Sequence, residues 1–87
     1  MNKGKVTDYD LRSFFKDGQL NYLFIIEIDD EYEYDKYLTQ VEYNLFMSKV
    51  LGGVGVKELR EVVGKSVEYE LSNDEVSKVL LGNNVEL

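Results

Sequence analysis

Nine consecutive residues, Glu27-Ile28-Asp29-Asp30-Glu31-Tyr32-Glu33-Tyr34-Asp35, hold six carboxylates and no base. Carboxylates at that density could do three kinds of chemistry. A close pair could divide the roles of general acid and general base. Oxygens at alternate positions could wrap a calcium ion. The whole stretch could instead present a negative surface to a cationic partner. The first needs an apolar pocket to raise one pKa and a nucleophile beside it, and the neighbouring residues supply neither. The second needs glycine at the sixth loop position, where Tyr34 stands, and a backbone that curls around the ion rather than extends. The third needs only exposure, and it survives.

The rest of the chain narrows the options further. It has 87 residues with no His and no Cys. That excludes a histidine base, a thiol nucleophile, a disulfide framework and a Cys- or His-ligated metal centre. Gly64-Lys65-Ser66 ends like a phosphate-binding loop, but Leu59 stands where its first glycine belongs, and a helix precedes it instead of a strand. Gly53-Val54-Gly55 is followed by Glu58 where a dinucleotide fingerprint requires a third glycine, so it reads as a connector. No cofactor or metal is expected, and no enzymatic activity. No run approaches the roughly 18 apolar residues of a membrane span, and no apolar segment follows Lys3 and Lys5 as a secretory signal would require. The expectation is a single domain over residues 1–87, working in the cytoplasm of a host cell without membrane contact.

Elements must place the acids. Residues 21–28, rich in aromatic and β-branched side chains, predict a central strand. Residues 32–38 predict its hairpin partner, and burial fixes the register. A loop of Asp29-Asp30-Glu31 sets Ile28 opposite Tyr32, Ile26 opposite Tyr34 and Glu27 opposite Glu33, which keeps one face apolar. Thr39-Gln40-Val41-Glu42 is a capping box opening a helix over 39–52. Val56, Leu59 and Val63 predict a helix over 56–63, with Lys57 and Glu61 paired outside. Residues 66–71 alternate as a third strand. Ser72-Asn73-Asp74-Glu75 reads as a second capping box, starting a helix over 73–82 with Val76, Val79 and Leu80 on one face. Leu11, Phe14 and Phe15 predict a helix over 8–16; the alternative is a hairpin about Asp17-Gly18 that pairs Phe15 with Leu20 and Leu11 with Phe24. The expected fold is α+β, a small antiparallel sheet of three strands (21–28, 32–38, 66–71) with four helices.

The formal charge is −7, and almost all of the excess lies in residues 27–35. Such a field repels nucleic acid and suits a basic protein. Glu27 opposite Glu33 is a like-charge pair that costs the sheet stability, and Tyr32, Tyr34 and Tyr37 interleave the acids with a residue type favoured at interfaces. Glu27, Asp29, Asp30, Glu31, Glu33 and Asp35 are therefore the candidate anionic contacts, with Tyr32, Tyr34 and Tyr37 supplying contact area. In size, acidity, lack of cysteine, acidic hairpin and flanking helices the chain resembles the small inhibitor proteins of phages and mobile elements, anti-CRISPR proteins and other DNA mimics among them. That resemblance implies a non-enzymatic protein that engages a basic surface of a host nucleic-acid-binding protein. The alternative is a phage accessory or structural protein that self-associates through helix or sheet-edge surfaces.

Overall fold

A computed structural model describes residues 1–82 and 85–87. The chain runs through β1 (Asn2–Lys16), β2 (Gln19–Ile28), β3 (Tyr32–Thr39), α1 (Gln40–Val54), a 3₁₀ turn at Leu59–Val62, β4 (Ser66–Ser72), β5 (Glu75–Leu81) and β6 (Val85–Glu86). The strands form one six-stranded antiparallel sheet in the order β3-β2-β1-β4-β5-β6. β3 and β5 touch although three strands separate them in that order, so the sheet curls into a half-barrel. Tyr32 of β3 meets Tyr69 of β4 across the curl, with ring centroids 5.6 Å apart.

The concave face carries the core. Val6, Phe24, Ile26, Ile28, Val67, Val79 and Leu81 point inward and are almost wholly removed from water. The helix α1 covers them, seating Phe46 on Phe24 (5.1 Å) and Tyr43 on Tyr22 (3.9 Å). Thr39 closes the capping box as its spacing requires: the Glu42 amide donates to Thr39 Oγ1 (3.3 Å) and the Thr39 amide to Glu42 Oε1 (2.9 Å). Those bonds hold the Glu42 carboxyl below its ordinary pKa. The helix continues through Gly52 and Gly53 and ends at Gly55, whose φ of 80° only glycine adopts freely.

The three-strand, four-helix expectation is overturned, and two β-bulges explain most of the error. Residues 8–16 are not a helix but the second half of β1, paired with β2 so that Phe15 faces Leu20 and Leu11 faces Phe24. Thr7 is an extra residue in that ladder, so inward Val6 and Tyr9 stand three apart and mimic helical spacing. Residues 73–82 are not a helix either. Asn73 and Asp74 have φ of 53° and 64°, a tight turn that sets Ser72 opposite Glu75 and launches β5. Ser77 is the extra residue there, which puts Val76 and Val79 on one face at a spacing of three. The helix over 56–63 shrinks to the 3₁₀ turn, with Val56 and Val62 buried. Glu61 does not pair with the Lys57 ammonium; its carboxylate accepts the Lys57 and Glu58 amides (2.8 and 2.7 Å), which lowers its pKa.

Candidate acidic face

Register and the bulge at Thr7 build the site. The β2–β3 ladder sets Glu27 opposite Glu33 and Ile25 opposite Asp35. On the other side of β2, Asp8 pairs with Glu27 and Asp10 with Ile25. The convex face therefore carries a row of three carboxylates across three strands, Asp8–Glu27–Glu33, and beside it a row with an acid at each end, Asp10–Ile25–Asp35. Next along come Arg12, Leu23 and Tyr37, then Phe14, Asn21 and Thr39. Phe14 meets Tyr37 edge to face at 6.2 Å. One end of the face is anionic and the other is aromatic.

Arg12 is the base on this face, and it is spent on Asp10, with Nε 2.7 Å from Oδ2 in an exposed pair. Glu33 has a different neighbour. A hydrogen bond shared with the Asp35 carboxyl, and then the Asp35 charge, raise the Glu33 pKa; Glu27 adds to the rise and Arg12 opposes it. Two carboxyls at i and i+2 on one strand face sit close enough to compete for a proton.

The nine candidate residues do not share one surface. Glu27, Glu33, Asp35 and Tyr37 occupy the convex face, and Tyr37 keeps 67% of its surface exposed. Asp30 and Glu31 lie at the hairpin tip, where Asp29 and Asp30 have φ of 54° and 57° and the Glu31 amide bonds to the Ile28 carbonyl (3.0 Å). Asp29 turns back onto the body: its Oδ1 accepts the Lys5 amide (2.9 Å), and its own amide donates to the Lys5 carbonyl (3.0 Å). The Asp29 carboxylate lies so close over Gly4 that a Cβ there would strike it. Tyr32 and Tyr34 point to the concave side. Tyr34 donates its hydroxyl to the Leu87 carbonyl at 3.2 Å, and burial raises its pKa. The Tyr32 hydroxyl pKa also rises, chiefly because of the Glu31 charge beside it.

Sequence reasoning missed Asp8 and Asp10, which a helix over 8–16 would have turned elsewhere. The Asp17-Gly18 hairpin would have found them, since extending its register from Leu11–Phe24 brings Asp8 to Glu27. It also missed a second acidic wall. A cleft of 480 Å³ runs beside β3, bounded by Glu31, Tyr32, Glu33, Tyr34 and Asp35 on one side and Asp74, Glu75 and Val76 on the other. Thr7 ties these parts together, accepting the Asp30 amide (3.0 Å) and donating to the Glu27 carbonyl and carboxylate (both 3.3 Å). Among the described residues no three acids converge closely enough to hold a metal ion. Comparison with protein-family models, with curated proteins and with solved structures finds no match for this chain.

Proposed function

We propose that this chain is a non-enzymatic binding protein of a phage or mobile element that engages a basic surface on a host protein through its convex acidic face. The observation that carries the reading is the Asp8–Glu27–Glu33 row: three like charges stand directly across adjacent strands, where the sheet gains by alternating sign. A row that costs stability is kept for something other than stability. A groove shaped for nucleic-acid phosphates accepts such a row, so the protein acts as a nucleic-acid mimic and inhibits its partner by occupying that groove in the host cytoplasm. Glu27, Glu33 and Asp35, joined by Asp8, make the charged contacts, and exposed Tyr37 with Phe14 adds apolar area at one margin.

The test is capture from host lysate on immobilised protein, with elution by a DNA or RNA oligonucleotide. The expected result is a basic nucleic-acid-binding protein that the oligonucleotide displaces and that the variant Glu27→Gln, Glu33→Gln, Asp35→Asn fails to capture. Equal capture by that variant at low salt would remove the reading.

A second reading has its own support. Val41 and Leu45, one turn apart on α1, are 71% and 70% exposed, and β3 is a sheet edge. An accessory or structural protein that self-associates would use such surfaces. Sedimentation decides between the two: self-association through Val41 and Leu45 persists at high salt and is lost in Val41→Glu, Leu45→Glu.

A further inference from the structure

We propose that the free edge of β3 accepts an extended segment of the basic partner as an added strand, and that this segment alternates basic with apolar side chains. The proposal rests on the reading of the chain as a basic-protein binder and adds how the partner docks and in what pattern.

β3 ends the strand order, and among the described residues its strand partner is β2 alone. Alternate residues of such an edge turn their amides and carbonyls away from the sheet, ready to pair with another chain. This edge opens into the 480 Å³ cleft whose far wall is Asp74, Glu75 and Val76. The lining holds five carboxylates, two tyrosines and a valine, and no base.

Side-chain alternation then sets the occupant's pattern. Glu33 and Asp35 stand on the convex face, and Tyr32 and Tyr34 on the concave one. A strand added beside β3 inherits the same alternation, with its Cβ atoms about 4.5–5.5 Å from those of the residues opposite. Its convex-side residues lie against Glu33 and Asp35, where Arg or Lys is favoured. Its concave-side residues lie against Tyr32, Tyr34 and Val76, where Val, Ile or Leu fits. A second copy of this chain is a poor occupant. Antiparallel pairing of β3 with β3 would bring Glu33 and Asp35 against their own copies, a like-charge contact across strands. Nucleic acid is repelled by the same carboxylates. Charge complementarity selects a basic peptide segment.

The test uses synthetic peptides and the intact protein. The probes are an alternating Arg-Val peptide, the same composition with its arginines in one block, and two alternating peptides N-methylated on odd or on even amides. Affinity is read by fluorescence anisotropy at low salt, and location by amide shifts in β3 and at Asp74–Glu75. The expected result is that the alternating peptide binds more tightly than the block peptide. One N-methylated set, the one whose amides face β3, should lose at least about tenfold while the other loses little, because backbone bonds left unmade carry that cost. The variant Glu33→Lys, Asp35→Lys should abolish the preference for alternation. If block, alternating and both methylated peptides bind alike, edge pairing is overturned while the basic-partner reading stands. If no cationic peptide binds and the charge-neutral triple variant still captures its lysate partner, both fall.

Discussion

Glu27 on β2 and Glu33 on β3 lie directly opposite each other on the convex face of the sheet, and neither meets a neutralising base across the ladder. Asp8 flanks Glu27 on the far side, and Asp35 shares a hydrogen bond with Glu33. Replacing Glu33 by Lys should therefore raise the thermal midpoint of the free protein. The gain should shrink with added salt, since exposed charges are screened over about 10 Å at 0.1 M. The raised Glu33 pKa gives a second signature. Protonation favours the folded state, so the stabilisation is complete below the unfolded carboxyl pKa and is lost as pH rises through the higher folded value. In Glu33→Gln that slope should flatten. Melting curves across this acidic window, at two salt concentrations, check both outcomes; a gain indifferent to salt would refute the like-charge account.

The core prediction is simpler. Phe24 is fully buried and Phe46 is 6% exposed, and their rings join the sheet to α1. Phe24→Ala or Phe46→Ala should each cost about 3–5 kcal/mol, a large share of the stability of a domain this size. Urea unfolding measures it, and a loss under about 1 kcal/mol at both positions would mean that the helix does not close the half-barrel.

Gly4 and Asp29 make a contact that a double-mutant cycle can isolate. A Cβ on Gly4 would collide with the Asp29 carboxylate, which sits there to accept the Lys5 amide. Gly4→Ala should cost about 1–3 kcal/mol, as overpacking usually does. Asp29→Gly removes the obstructing group and suits the positive φ at that position, so in its background the Gly4→Ala penalty should largely disappear. Additive penalties would show that the two residues act separately.

These contacts also show why some of the fold was legible from residues and some was not. The β2–β3 register followed from burial alone, because any other loop would have placed Glu33 on the core face beside Ile26. The Thr39–Glu42 box is reciprocal and local, so four residues suffice to read it. The bulged strands defeated the same method. Thr7 and Ser77 each add one residue to a ladder, which turns a period of two into a spacing of three, and a helix shows that spacing as well. Ser72-Asn73-Asp74-Glu75 fits a capping box and a hairpin turn equally; the left-handed φ that Asn and Asp tolerate is a property of the backbone, not of the pattern. With β1 misread as a helix, the anionic row lost its third member. Glu27, Glu33 and Asp35 could be placed from the hairpin, but Asp8 needed a strand pairing that only the Asp17-Gly18 turn signals.

The last prediction concerns the acidic face in action. Glu27, Glu33 and Asp35 make no contact with the concave core, so Glu27→Gln, Glu33→Gln, Asp35→Asn should leave the circular dichroism spectrum unchanged and the melting temperature equal or higher. Asp29 is left intact because it anchors the hairpin to Lys5. Binding to the captured basic partner should nonetheless slow. Attraction between opposite charges acts before contact, so it raises the association rate more than it lowers the dissociation rate. Stopped-flow mixing should show the wild-type rate falling steeply with ionic strength and the variant rate falling little. The two should converge near about 0.5 M salt, where the screening length drops well below the spacing of the rows. If the variant associates as fast as wild type at low salt, the acidic face serves solubility rather than recognition. If it associates normally and only dissociates faster, the carboxylates act as short-range contacts and long-range steering is excluded.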